Sequence, residues 1–286
     1  MSPLLFHEFA SWSPSAVVTL AGMAQQEDWE YRNVTSSKPL PILRNYVAYT
    51  FRQAQFQGRV LEATTRSGQQ VAAFDTGLLT NHFERIFGFF IPQTSSTLPQ
   101  PWFLQGFHRE SDYRLMSFQR LPERATYFDQ PADLLYNPTY DLRVQYDHIV
   151  NDNLVRFPAE LQFDEQRRVE QVRQAIEHAK FRVTQNYKTA IPQFYWPSRE
   201  PSSPGRLQLL LPLCLQDFSR ADLALSVDRE GEVYRAATVL TLDMAYNNAR
   251  LVARPDREWL EPTPAVGVDV EHEVDLEGDN VAENDA

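Results

Sequence analysis

The chain of 286 residues is 43% hydrophobic, an ordinary value for a globular protein and enough for a sizeable core. Its formal net charge of -11 misrepresents most of the chain, because residues 268 to 286 hold eight carboxylates and no Lys or Arg. Without that segment 30 acids face 27 bases, so the sequence is compatible with a locally basic face.

Neither a targeting signal nor a membrane span is expected. The start lacks the basic residues and the long apolar core of a secretory signal. No run approaches the roughly 18 consecutive apolar residues that a membrane span requires. The single cysteine, Cys214, excludes an internal disulfide and lies in an apolar run, which suits a buried thiol in a reducing compartment. These features predict a cytoplasmic protein without a membrane partner.

The N-terminal part is predicted to contain short helices, one longer helix and a hairpin. The first 30 residues are typical of short helices. Pro41 suits the first position of a helix whose apolar residues recur at helical spacing until Gly58. RVLEATT and QQVAAFDTGLLT flank the turn signal RSG and predict an antiparallel hairpin, and ERIFGFFIP predicts a further strand. Residues 106 to 160 show no clean period and receive no assignment.

The C-terminal part is predicted to alternate between helix and sheet. Asp164 is a suitable N-cap for the amphipathic helix DEQRRVEQVRQAIEHAK. LQLLLPLCL, ADLALSVD and VYRAATVLTL then predict three strands of an antiparallel sheet over residues 207 to 242. A helix from about residue 243 to 254 follows, and Pro255 ends it.

These elements predict an α+β fold, with an antiparallel sheet and helices packed on it. We expect one compact domain over residues 1 to 262. The acidic segment over residues 263 to 286 has little to bury, so we expect a disordered tail.

Several segments together resemble one family. They are FHEFA, ILRNYVAYTF, AAFDTGLLT, HIVNDNLVRFP, LLLPLCLQDFSRADLALSV and, most specifically, TVLTLDMAYNNARLVARPDREWL. The chain resembles the bacterial domain-of-unknown-function family 3825 over residues 5 to 260. Similar proteins carry neighbouring cold-shock or PIN-like ribonuclease domains, so the resemblance implies an RNA context. Asp75 stands where the resemblance leads us to expect Asn.

The stretch AAFDTGLL presents one candidate catalytic residue, Asp75. A hydrophobic run followed by Asp-Thr-Gly is typical of an aspartic protease, in which two aspartates share a proton and activate water. Only one copy of that motif is present. In the alternative interpretation, which the resemblance also favours, Asp75 caps a turn at a strand end that Gly77 permits.

Histidine supplies the second candidate for catalysis. The six histidines are scattered, without HxH, HExxH or paired cysteines, so no metal site and no cofactor are predicted. His148 lies in YDHIVNDNLVRFP, a dense group of polar residues that includes Asn153 and Arg156. It is the best candidate for a general acid or base. Alternatively, the segment is a loop whose Asn side chains bond to its own backbone.

The stretch TLDMAYNNARLVA raises a question about helix propensity. Asn is weak in helix interiors because its amide competes for backbone hydrogen bonds, so Asn247 and Asn248 require compensation. Tyr246 and Arg250 are four residues apart and share a helix face. Together they could stack on a base and bind a phosphate. The alternative is a buried polar network that fixes the helix against the sheet.

Basic residues are interspersed with aromatic residues along the chain. The basic residues are Arg44, Arg52, Arg143, Arg156, Arg167, Arg168, Lys188, Arg206, Arg250 and Arg254, and the aromatic residues are Tyr46, Tyr49, Tyr187, Phe194, Tyr195 and Trp196. Aromatic rings beside arginines suit single-stranded RNA or a nucleotide, whose bases stack while phosphates meet guanidinium groups. An ordinary aromatic core is the alternative.

We therefore predict a cytoplasmic protein that binds single-stranded RNA or a nucleotide and acts in RNA processing. A hydrolase centred on Asp75 and a non-catalytic interaction module are the alternatives. The catalytic candidates are His148 and Asp75. The predicted binding residues are Asn45, Arg156, Tyr246, Asn247, Asn248 and Arg250.

Overall fold

Two five-stranded sheets form the framework of the protein in a computed structural model that describes residues 4–33, 36–197 and 204–255. The predicted tail, residues 263 to 286, lies outside the described residues. Both sheets are mixed, and helices pack against them, so the predicted α+β class is confirmed.

The first sheet combines the predicted hairpin and strand with two further strands. Its strands are β1 (Ala10–Trp12), β2 (Leu61–Thr64), β3 (Gln70–Leu79), β4 (Arg85–Pro92) and β5 (Trp102–Arg109). They lie in the order β1-β5-β4-β3-β2, and only β1 and β5 pair in parallel. The short β1 lies in a region for which the sequence predicted only helices.

The second sheet contains the three predicted C-terminal strands at its centre. Its strands are β6 (Asp141–Val144), β7 (Ile191–Tyr195), β8 (Arg206–Leu213), β9 (Leu223–Glu230) and β10 (Val233–Leu240). Their order is β6-β10-β9-β8-β7, with a single parallel pair between β6 and β10. The two edge strands, β6 and β7, have four and five residues, too few to give a clear period in the sequence.

Seven α-helices accompany the sheets in the described residues. They are α1 (Phe6–Phe9), α2 (Pro14–Met23), α3 (Pro41–Phe56), α4 (Tyr146–Asp152), α5 (Ala159–Gln162), α6 (Glu165–Gln185) and α7 (Leu242–Val252). The predicted caps are present: Pro41 opens α3, and the Asp164 side chain accepts from the backbone N–H of Arg167 at the start of α6. None of these helices is long and apolar enough to cross a bilayer.

Helix α7 occupies the position between the two sheets. Apolar residues of α4, α5 and α6 cover one face of the second sheet. Ala245 and Ala249 of α7 cover part of the other face, where they pack with Ile191, Leu210 and Ala224. Helix α7 also contacts α3, which in turn packs on β3 of the first sheet. The polar residues of α7 therefore face two different environments.

Candidate binding site

The side of α7 that faces α3 contains a buried ion pair. Arg250 donates from Nε and Nη2 to the two carboxylate oxygens of Glu27, at 2.6 and 3.0 Å. The two side chains are 9% and 5% exposed. The guanidinium also lies over the rings of Trp29 and Tyr46, at 5.0 and 4.6 Å from their centroids. Burial alone would lower the pKa of Arg250, but Tyr46 and Glu27 outweigh burial and raise it.

The segment that precedes α3 holds the first turn of α7 through further buried groups. The carboxylate of Asp243, which is 3% exposed, accepts from the backbone N–H groups of Arg32 and Asn33 at 3.1 and 2.9 Å. Asn45 of α3 donates to the hydroxyl of Tyr31 at 2.8 Å. Burial raises the pKa of Tyr31 to about 12. These bonds tie the segment to both helices.

Tyr246 and Asn247 complete this buried group. The Tyr246 hydroxyl donates to Glu27 at 3.4 Å, and burial raises the pKa of the phenol. Asn247 is buried, and none of the described residues donates to its Oδ1. Together with Arg250, these residues match the interpretation of a buried polar network better than that of a ligand site.

Asn248 points the other way, into an amide network on the second sheet. Its Nδ2 donates to Gln193 Oε1 at 3.1 Å, and Gln193 Nε2 donates to Gln208 Oε1 at 2.8 Å. Gln208 Nε2 then donates to Asp228 Oδ2 at 2.9 Å. Ser226 lies beside the two glutamines and bonds to both at 2.9 Å. We call these five residues, on α7, β7, β8 and β9, the amide network.

Among the described residues, elements cover the sheet face that carries the amide network only at one end. Tyr195 lies two residues beyond Gln193 on β7, on the same face, and pairs in register with Arg206 of β8. Their side chains are 42% and 54% exposed, whereas Ile191 and Leu210 at the opposite end are buried beneath α7. The open end is thus lined by an aromatic ring and a guanidinium.

Arg156 lies at the margin of the same face. Its Nη1 donates to Asn153 Oδ1, Thr238 Oγ1 and the carbonyl of Val239 at 2.6, 3.2 and 2.6 Å. Thr238 pairs with Ser226, so the guanidinium lies beside the amide network. Burial lowers the pKa of Arg156, and the Tyr195 phenol opposes that effect. No described residue accepts from Nε or Nη2 of this arginine.

The open end of this sheet face forms a partly exposed group of aromatic, cationic and amide side chains. We call it the polar shelf, and its residues are Tyr195, Arg206, Asp228, Arg156 and Asn248. Two of the predicted binding residues, Arg156 and Asn248, belong to it. The other four predicted binding residues lie in the buried group between α7 and α3.

His148 lies apart from the polar shelf, on the exposed side of α4. Its Nδ1 contacts the carboxylate of Asp152, and the two side chains are 50% and 63% exposed. Asn153 donates from Nδ2 to the backbone carbonyl of His148 at 3.0 Å, which is the local bonding that the alternative interpretation describes. In the described part of the chain, no group of three or more His, Cys, Asp or Glu could hold a metal ion.

Asp75 lies in β3 of the first sheet and is 2% exposed. Its Oδ1 accepts from the backbone N–H of Gly77 at 2.8 Å, and Gly77 has a φ of 73°. Oδ2 is 3.5 Å from Arg85 Nη1. Burial raises the pKa of Asp75, although the Gly77 N–H and Arg85 favour the charged form. Asp75 therefore stabilises a local turn within β3, where the register with β4 shifts between Asp75 and Leu79, and it does not lie at the strand end that the sequence predicted.

Comparison with known proteins identifies one family. The sequence profile of DUF3825, a domain of unknown function, matches residues 20–259. The chain belongs to this family. Curated proteins and solved structures give no match. Membership in DUF3825 leaves the activity to be inferred from the arrangement of the side chains.

Several residues that organise the two groups could not be recognised directly from the sequence. Glu27 is one acid in a polar stretch, and nothing local marks it as the partner of Arg250, 223 residues away. Gln193, Gln208 and Ser226 did leave a signal, since each is a polar residue within an apolar strand. Such residues on adjacent strands predict a buried polar network only when the register is known.

Proposed function

We propose that the polar shelf binds single-stranded RNA or a nucleotide. The observation that carries the proposal is the exposed ring of Tyr195, directly opposite the exposed Arg206 on a sheet face lined by amides. An exposed ring on a sheet offers a stacking surface to any base, and an adjacent guanidinium can bind the phosphate.

Arg156 supports the proposal because it is held in place before a ligand binds. Three acceptors engage its Nη1, which fixes the plane of the guanidinium. Nε and Nη2 lie on one edge of that plane and have no acceptor among the described residues. A guanidinium edge of this kind suits a bidentate bond to a phosphate, and its prior immobilisation reduces the entropy lost on binding.

The charge of the surrounding face is also consistent with a ligand that carries few phosphates. By register, Arg143, Arg235 and Arg206 share this face, and Arg156 lies at its margin. The carboxylates on it among the described residues are Asp141, Asp228 and Glu230, so the four described arginines exceed the described acids by one. Asp228 lies 3.8 Å from Arg206, and Glu230 bonds to Arg235 at 2.7 Å. We therefore place the main affinity in stacking and hydrogen bonding, with a modest ionic part.

We extend this proposal to a role in RNA processing in the cytoplasm. Asn153 bonds both to the backbone of His148 and to Arg156, so the histidine is on a segment attached to the polar shelf. If bound RNA is cleaved, His148 is the residue that we propose for the proton transfer. The free, buried thiol of Cys214 suits a reducing compartment. The RNA context implied by the resemblance to DUF3825 agrees with the proposal.

The test is a fluorescence anisotropy titration of the full chain with a labelled, unstructured single-stranded RNA. We expect Tyr195→Ala to weaken binding about tenfold, since stacking of a base on an aromatic side chain contributes about 1 to 3 kcal/mol. Tyr187→Ala is the matched control, because Tyr187 is 54% exposed but lies on a different element. Equal affinity of the two variants would overturn the proposal.

A further inference from the structure

A row of polar side chains crosses all five strands of the second sheet, on the face that carries the amide network. In register, Gln193 of β7 pairs with Gln208 of β8, Asp228 of β9 pairs with Arg235 of β10, and Arg235 pairs with Arg143 of β6. Gln208 joins the two halves of the row, because its Nε2 donates to Asp228 Oδ2 at 2.9 Å. Residues that are opposite each other on neighbouring strands project from the same face of a sheet. We call these five residues the cross-strand row, which runs from one edge of the sheet to the other.

The β6 end of the cross-strand row is an exposed pair of arginines. The side chain of Arg235 is 49% exposed and lies 2.7 Å from the Glu230 carboxylate, and Arg143 is exposed as well. The Arg143 guanidinium has no ion pair or hydrogen bond with any other described residue, not even with Asp141 two residues along β6. Two like charges that are opposite each other on neighbouring strands repel, so an anion bound here would relieve the repulsion. This end of the row therefore offers a phosphate contact separate from Arg206.

The two ends of the row are too far apart for one nucleotide. Neighbouring strands lie about 4.8 Å apart, so the four spacings from β7 to β6 amount to about 19 Å. Tyr195 lies at the β7 end, two residues from Gln193 on the same face. A stacked strand rises about 3.4 Å per nucleotide, so about six stacked nucleotides cover that width, and fewer suffice when the strand is extended. A base on Tyr195 and a phosphate on Arg143 must therefore belong to different nucleotides of one chain.

We infer that the ligand is an oligonucleotide that crosses the strands from Tyr195 to Arg143 and has a footprint of about four to six nucleotides. This inference rests on the proposed function and decides between its two ligands. The carboxylate of Asp228 lies in the middle of the row and repels a phosphate, so the phosphate contacts fall at the two ends. Between the ends, the amides of Gln193 and Gln208 can bond to base edges or to ribose 2′-hydroxyl groups.

The experiment measures the affinity of the full chain for unstructured single-stranded RNA of two to ten nucleotides, by competition with a labelled RNA of the greatest length. We expect the affinity to rise by more than about tenfold between two and six nucleotides, because each added contact contributes. Beyond six nucleotides the affinity should level off, since a longer RNA passes the edge of the sheet.

Arg143→Ala tests the far end of the row. It should weaken binding of the six-nucleotide RNA about fivefold and leave that of the two-nucleotide RNA within about twofold, because only the longer RNA reaches β6 from Tyr195. Arg206→Ala should weaken the binding of both. Arg66→Ala is the matched control, since Arg66 is an exposed arginine in the turn between β2 and β3 of the first sheet.

The outcomes separate this inference from the proposed function. Equal affinity for RNA of two and six nucleotides, with Tyr195→Ala weakening both, overturns the inference and leaves a small nucleotide as the ligand. An affinity that keeps rising steeply up to ten nucleotides, or an Arg143→Ala variant that matches Arg66→Ala, also overturns the inference. Absence of binding at every length overturns both proposals.

Discussion

Helix α7 borders two groups in which an arginine lies beside an aromatic ring, and the two groups differ in exposure. On one side Arg250 lies over Trp29 and Tyr46, and on the other Arg206 faces Tyr195. Arg250 is buried and bound by Glu27 through both of its carboxylate oxygens, whereas the side chains of Arg206 and Tyr195 are about half exposed. An arginine beside an aromatic ring therefore does not by itself indicate a ligand.

The physical reason for the difference is the cost of burying a charge. A guanidinium removed from water requires a partner for its charge. The carboxylate of Glu27 occupies Nε and Nη2 of Arg250, the edge that would otherwise bind a phosphate. A partly exposed guanidinium keeps donors that a ligand can use. The burial of an arginine and the number of its N–H donors that already have an acceptor therefore distinguish a structural cluster from a binding surface. The following predictions test this distinction.

The largest effect is expected for Arg250→Ala. Removing one partner of a buried ion pair leaves the Glu27 carboxylate uncompensated, so we expect a loss of about 3 to 5 kcal/mol in the free energy of unfolding. Chemical denaturation measures it. The affinity of the remaining folded protein for RNA should stay within about twofold of the native value.

Replacement of both charges provides the control for that loss. Glu27→Leu combined with Arg250→Met removes the unpaired charge, and we expect much of the stability to return. A stable Arg250→Ala variant with greatly weakened RNA binding would reverse the assignment of the two sides of α7.

Arg206→Ala should affect RNA binding and not stability, the opposite of what is expected for Arg250→Ala. Stability should change by no more than about 0.5 kcal/mol, because the side chain is exposed. RNA binding should weaken several-fold, and the dependence of log K on log salt should lose about 0.7 in slope, the value for one phosphate contact in a single strand. Arg229→Ala is the matched control, since that exposed arginine alternates to the other face of β9. Identical salt slopes in the two variants would count against the polar shelf.

Asp75→Asn separates the turn role from the hydrolase alternative. The Asn amide oxygen can accept from Gly77 as the carboxylate does, so we expect binding to be unchanged. Because burial raises the folded pKa of Asp75 above its ordinary value of 3.8, its contribution to stability is full below that value and falls as pH rises through the folded pKa. The variant should therefore gain stability relative to the native chain over the pH range that runs from 3.8 up through the folded pKa.

Two assays check this prediction. Thermal melts across that pH range report the change in stability. Peptide hydrolysis at acid pH that disappears in Asp75→Asn would establish the hydrolase instead, because an amide cannot transfer the proton.

The smallest effect is expected from removing residues 268 to 286. Their eight carboxylates can compete with RNA for the arginines of the polar shelf. Truncation should tighten RNA binding at low salt by a few-fold, with the gain shrinking as the Debye length falls to about 10 Å at 0.1 M. Equal affinities of the truncated and full chains at low salt would show that the acidic segment does not compete.

The sequence was sufficient to predict those helices and strands that have a strong local signal. Pro41 and Asp164 marked helix starts, and the apolar runs of β8, β9 and β10 marked the centre of a sheet. Local signals did not reveal β6 or the parallel pairs, because short edge strands have no period and their partners are distant in sequence.

The candidate site was predicted only in part, for a related reason. The two adjacent asparagines of α7 were recognised as needing compensation, but their directions depend on tertiary packing. Asn248 meets Gln193 on the sheet, while Asn247 is buried on the side of α3. Arg250 could not be distinguished from Arg206 because burial depends on Glu27, which lies far away in the sequence.

Photo-crosslinking tests the central claim most directly. The full chain is irradiated with a single-stranded RNA that carries 5-iodouridine within a run of adenines, and crosslinked peptides are identified by mass spectrometry. A base stacked on Tyr195 predicts crosslinks at that tyrosine and in the peptide of β7. Crosslinks confined to other surfaces, or to the segment that contains Glu27 and Trp29, would contradict the account.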